Sequence, residues 1–115
     1  MPRYIMKVSK DPNIDLYVEW STVVDAPVAW GRAQDLNLTG ERKRRTDQLG
    51  TSMYDGYGGW DSNGMIVHNL GTKGGFYWLK RENLEKFIRD LSSGDPEDRE
   101  HQQKVLDDNT DEIDD

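Results

Sequence analysis

Apolar side chains nearly run out at residue 93 of this 115-residue chain. Beyond that point only Val105, Leu106 and Ile113 are apolar, and every tryptophan, tyrosine and phenylalanine precedes it. The same stretch holds Asp95, Glu97, Asp98, Glu100, Asp107, Asp108, Asp111, Glu112, Asp114 and Asp115, against Arg99 and Lys104. It therefore carries -8 of a net charge of -7, which leaves +1 for residues 1–92. A folded chain needs buried apolar area to offset the entropy of ordering it. That inventory assigns one globular domain to residues 1–92. It leaves residues 93–115 as an acidic tail, a marginal helix or a disordered segment.

The length allows one core and no second one. The absence of cysteine excludes a disulfide scaffold, a thiolate zinc site and a cysteine nucleophile. No apolar run approaches the roughly 20 residues of a membrane span, and the N-terminus lacks a signal-peptide pattern. The expectation is a cytoplasmic protein with no membrane contact.

Within 1–92, residues 3–9 alternate, with Tyr4, Met6 and Val8 on one face and Ile5 among polar residues on the other, the pattern of a half-buried strand. After the turn cluster Lys10-Asp11-Pro12-Asn13, a second strand over 16–24 completes an antiparallel hairpin. Ala26-Pro27 is expected to end or kink it. Ala33 and Leu36 suit a short helix after Gly31, interrupted by Thr39-Gly40, and 41–49 suit a second one with Gly50 beyond its end. Asn63-Gly64 has the composition of a two-residue hairpin turn. Strands are expected over 65–70 and 76–79. The best helix covers 81–91, with Leu84, Phe87, Ile88 and Leu91 on one face. In the tail, Asp95 and Pro96 suit the start of a helix running to Asp107. The fold class is α+β: an antiparallel sheet of about four strands, one main amphipathic helix on one face and the acidic tail.

Two stretches carry candidate contacts. The segment Tyr54-Asp55-Gly56-Tyr57-Gly58-Gly59-Trp60-Asp61 interleaves aromatics with glycines. Tyr54, Tyr57 and Trp60 offer large contact area with polar tips, the composition of protein-binding hot spots. The plainer reading folds them over the sheet edge as a satellite of the core. The run Arg42, Lys43, Arg44 and Arg45 is the one dense positive feature and suits phosphate contacts. Its plainer reading is a solvated helix face, or a partner for the tail. A body at +1 is far from the basic footprint of a nucleic-acid binder.

No motif supports catalysis, a metal or a cofactor. The glycines match no phosphate loop or dinucleotide fingerprint. Asp61, Asn63 and Gly64 give only a fragment of a calcium loop, since Gly59 stands where an acidic ligand belongs. His68 is isolated, and Ser21, His68 and Asp25 lack the spacing of a nucleophile elbow.

The stretches Tyr4-Ile5-Met6-Lys7-Val8, Asp15 to Pro27 and Phe76 to Leu84 resemble small uncharacterised proteins of actinobacteria and their phages. The resemblance covers most of residues 3–92 and none of the tail. It carries over no activity and no site residue. It implies an intracellular setting, the host cytoplasm for a phage-encoded chain, and an accessory role exerted by binding a host or viral component. The sequence thus leads to a protein-binding module that is not an enzyme, compatible with a homo-oligomer. The alternative is a nucleic-acid-associated protein using residues 42–45, with the acidic tail as internal competitor.

Overall fold

In the computed structural model, which describes residues 3–113, the alternating N-terminal segment forms strand β1, Arg3–Lys7. It runs antiparallel to β2, Tyr17–Ser21, with Ile5 opposite Glu19 and Met6 opposite Val18. A turn reverses the chain at Asp25, whose φ is 55°, and β3, Ala26–Gly31, adds to the other side of β2. The order of this sheet is β1-β2-β3. Contrary to expectation, Ala26-Pro27 does not end or kink the second strand, which stops at Ser21. Pro27 lies within β3 opposite Trp20, beside a register shift at Glu19/Trp20. An edge strand is where a missing ladder donor is tolerated.

β1 is covered on both faces rather than half-buried. Tyr4, Met6 and Val8 enter the main core, while Ile5 joins Tyr17, Ala33 and Leu38 in a second cluster. The chain after β3 supplies that second cover through a 3-10 turn, Ala33–Leu36, and helix α1, Gly40–Leu49. α1 stops where Gly50 takes φ 82° and donates its N–H to the Thr46 carbonyl, as its placement after the last helical residue predicts. Lys7 is also buried, its Nζ donating to the carbonyls of Ile14 at 2.6 Å and Asp11 at 3.3 Å.

The expected single sheet is two three-stranded sheets. The second has the order β4-β5-β6, from Gly64–Val67, Tyr77–Lys80 and Asp111–Glu112. Asn63-Gly64 makes no hairpin turn. Gly64 begins β4 opposite Lys80, and Asn63 accepts the Arg81 N–H through its carbonyl. The β4–β5 hairpin closes instead through residues 68–76, where Asn69, Gly71 and Gly74 take positive φ. Both sheets feed one core: Tyr4, Met6, Val18 and Trp20 pack in one cluster with Met65, Val67, Tyr77 and Leu79.

After β5 the chain tightens into a 3-10 turn, Arg81–Asn83, and continues as α2, Leu84–Ser92. Leu84, Phe87, Ile88 and Leu91 are all buried, as their spacing predicts, and Phe87 lies 6.4 Å from Trp20, centroid to centroid. A third helix, α3, spans Arg99–Asn109. It starts after Asp98, whose carboxylate accepts the Glu100 N–H, and not after Asp95.

The expectation of a solvated tail fails for α3. Val105 and Leu106 are buried in the main core. Polar side chains fasten the rest. Gln103 Oε1 accepts the N–H groups of Thr72 and Lys73, Gln102 Oε1 accepts that of Gly71, and Asn109 Nδ2 donates to Asp90. Beyond the helix, β6 pairs with β5, Asp111 opposite Trp78. Asp114 and Asp115 lie outside the described residues.

Docking of this kind makes the tail part of the stability. Leu106→Ala should cost about 2–5 kcal/mol through lost burial and a cavity. Its thermal midpoint should fall by roughly 10 °C or more. A midpoint within about 2 °C of wild type, with a chain cut after residue 98 equally stable, would mean that α3 is not docked in solution.

Candidate functional site

The loop that follows α1 begins as a partial strand along the free edge of β1. Met6 and Thr51 form a bridge, Ser52 donates its N–H to the Ile5 carbonyl at 2.8 Å, and Ser52 Oγ accepts the Ile5 N–H at 2.9 Å. The chain then turns outward through Tyr54 and Asp55 and returns at Gly58. The φ of Gly58 is +80°, and a Cβ there would stand 2.8 Å from the Tyr4 ring. Only glycine lets the loop lie that close to the sheet.

Arg81 fastens the returning half. Along β5, Tyr77 and Leu79 face the core, and Arg81 follows with the same parity. Only 6% of it is exposed. Its Nε donates to the Gly58 carbonyl at 2.8 Å, and its Nη2 to the carbonyls of Lys7 at 2.5 Å and Gly50 at 3.1 Å. One guanidinium thus joins β1, the end of α1 and the loop. The Trp60 ring lies 4.5 Å from its carbon, centroid to Cζ. Among the described residues no carboxylate forms an ion pair with it. Burial in these uncharged surroundings holds its pKa down, at about 10.

The three aromatics of the loop part company. Tyr54 is 84% exposed and Tyr57 52%. Trp60 is partly buried between Arg81 and Lys10. Tyr57 meets Tyr4 edge-on at 5.6 Å and shares a shallow cleft with the exposed side chain of Leu49. The Arg45 guanidinium lies 3.8 Å above the Tyr54 ring, and its Nε donates to the Ser52 carbonyl. Two stretches that the sequence offers as rival sites are therefore in contact.

The basic run is largely paired within the chain. Arg45 holds Tyr54, Arg44 pairs with Glu41, and Lys43 pairs with Asp47 at 2.8 Å. Arg42 is exposed and has no ion-pair partner among the described residues. Asp47 also accepts a short hydrogen bond from the Tyr17 hydroxyl. Burial pushes Asp47 up, but the hydrogen bonds from Lys43 and Tyr17 outweigh it, and its carboxyl sits below the usual range. Tyr17 is raised well above an ordinary phenol, by burial first and by Asp47 second.

The other sequence candidates have local partners. His68 stacks on Phe76 at 3.9 Å, and its N–H donates to the Asp25 carbonyl, so these two residues of the paper triad meet through backbone. Ser21 Oγ accepts the N–H groups of Val23 and Val24. Among the described residues no group of three histidine, aspartate or glutamate side chains is placed to hold a metal ion. None of the helices described is long and apolar enough to cross a membrane.

Arg81 is the functional-scale residue that sequence reasoning missed. The signal was there in strand parity: 77, 79 and 81 share a face, and the third is an arginine. No protein-family model, no curated protein and no solved structure matches the chain.

Tyr4 is raised above the ordinary tyrosine value too, chiefly by burial. A raised folded-state pKa means that this stability is complete below the unfolded value of about 10 and is lost as pH climbs past it. Arg81, held down, opposes the trend between about 10 and the unfolded arginine value. A spectrophotometric titration should show Tyr4 and Tyr17 ionising late, each late step removed by Tyr4→Phe or Tyr17→Phe, and stability falling above pH 10. Ionisation of Tyr4 and Tyr17 near pH 10 would contradict this burial.

Proposed function

We propose that the protein is a non-catalytic protein-binding module, and that it meets its partner through the loop after α1, with Tyr54 and Tyr57 as the contact side chains. The observation that carries this reading is the combination of exposure with anchorage. Two tyrosines stand in solvent on a loop held by β1, by Arg45 and by Arg81. A pre-ordered loop loses little entropy on binding, so its exposed aromatic area is available for affinity. Leu49 extends the same surface. Trp60 supports the loop from behind rather than joining the tyrosines.

The resemblance to small actinobacterial and phage proteins fits this reading: an accessory protein in the host cytoplasm, acting on a host or viral component. A nucleic-acid role for residues 42–45 draws less support, because Lys43, Arg44 and Arg45 already have partners within the chain. Charge held in such pairs is not free to displace counterions from a phosphate backbone.

The test compares three tagged forms as bait in lysate of the source cell: wild type, Tyr54→Ala/Tyr57→Ala, and Arg42→Gln/Arg44→Gln. Truncating a hot-spot aromatic costs roughly 2 kcal/mol or more, about thirtyfold in affinity. The double tyrosine variant should lose the partner that wild type captures, and the arginine variant should keep it. Equal capture by wild type and the tyrosine variant would sink the reading. Salt-sensitive gel shifts that vanish in the arginine variant would put nucleic acid in its place.

A further inference from the structure

A groove beside Trp60 has neither Tyr54 nor Tyr57 among its lining residues. It measures about 680 Å³, and its lining includes Trp60, Trp78, Lys10, Lys80 and Arg81 together with the acids Glu82 and Glu85. Three cations thus converge on it. Of the two acids, Glu85 is taken by Arg89, 2.8 Å away, and Glu82 is exposed.

Arg81 gives the groove its chemistry. Its Nε and Nη2 are spent on three carbonyls, whereas Nη1 makes no hydrogen bond within the described residues. No buried side-chain nitrogen or oxygen is left without a partner, so Nη1 is not sealed in the core. Arg81 is itself one of the residues that line the groove. The guanidinium lacks a carboxylate counter-ion, and its charge is offset only by carbonyl dipoles and the face of Trp60. A fixed, dehydrated cation of this kind attracts an anion more strongly than a mobile surface lysine does.

We infer that this groove is a binding site for a small organic acid: a carboxylate that meets Arg81 Nη1, carried on a flat apolar body that lies along the Trp60 and Trp78 indoles. Lys10 and Lys80 add positive charge where the acid enters. Ser9 and Ser62 supply hydroxyls for further polar groups on the ligand. Mixed walls, with two indoles and a few convergent polar atoms, are the usual make-up of a small-molecule cleft. The groove shares Trp60 and Arg81 with the anchorage of the loop but uses neither exposed tyrosine, so a failure of the partner-binding reading leaves this one standing.

The probe is benzoate, with benzamide as its uncharged isostere and inorganic phosphate as an anion without a ring. The readouts are the indole N–H resonances of Trp60 and Trp78 and the guanidinium resonances of Arg81 in the full-length protein. Benzoate should shift all three saturably, with a Kd of about 1 mM or below, the affinity open to a ligand of this size. Benzamide should bind at least tenfold more weakly. Lys80→Met, an exposed position outside the core, should weaken benzoate several-fold without changing the fold. Arg81→Ala is a poor test because it removes the side chain that holds β1, the end of α1 and the loop together. Phosphate that shifts Arg81 as strongly as benzoate would overturn the aromatic part of the inference. Equal binding of benzamide would overturn the anionic part. Absence of any saturable shift at Arg81 would overturn the site itself.

Discussion

The fold depends on a positive charge placed where charges are costly. Arg81 leaves β5 on the core side and ends among the carbonyls of Lys7, Gly50 and Gly58. These residues belong to the first sheet, the end of α1 and the aromatic loop, three parts of the chain that also meet through backbone bonds such as Lys7 N–H to the Gly50 carbonyl and Trp60 N–H to the Leu49 carbonyl. An apolar residue of the same size would fill the space, but the Lys7 and Gly58 carbonyls would lose the guanidinium and Gly50 would keep only the Lys7 N–H. The guanidinium fork suits the task because it donates in two directions from one rigid plane. The cost is desolvation of the charge, visible in a pKa held down to about 10. Hydrogen bonds to the carbonyls and the ring of Trp60 offset it.

That arrangement explains why the loop can carry exposed aromatics without collapsing onto the core. Trp60 is fixed against Arg81 and Lys10, Tyr57 has its edge on Tyr4, and Arg45 covers one face of Tyr54. Each aromatic has a cation or a second ring that sets its position, so the side chains that reach solvent do so from a defined backbone. One residue does both jobs: Arg81 Nε holds the loop at Gly58, and Nη2 holds β1 and the end of α1.

Much of the local structure was legible in the residues. The spacing of Leu84, Phe87, Ile88 and Leu91 fixed the buried face of α2, and Gly50 marked the end of α1. What escaped was decided by distant contacts. Asn63-Gly64 has hairpin composition, yet Gly64 is drawn into β4, where a Cβ would stand 2.3 Å from the Leu79 carbonyl. The segment after residue 93 has too few apolar residues to show an amphipathic face. Its helix docks largely through the amides of Gln102, Gln103 and Asn109 on backbone and side-chain groups of residues 71–73 and Asp90, contacts that no periodicity reveals. For the site, composition singled out Tyr54, Tyr57, Trp60 and Arg42 to Arg45. It could not show that Trp60 and Arg45 act as supports, because that depends on the position of Arg81 and Ser52 in space.

Arg81→Lys tests the anchoring role most directly. A lysine keeps the charge but cannot reach three carbonyls from one plane. Equilibrium unfolding should show a loss of about 3 kcal/mol or more, since buried acceptors and a buried charge lose their partners together. Hydrogen exchange should accelerate at the Gly59 and Trp60 amides, whose bonds to the Gly56 and Leu49 carbonyls close the returning half of the loop. A loss below about 0.5 kcal/mol, with exchange at these amides unchanged, would show that the loop and the two sheets hold together without the guanidinium.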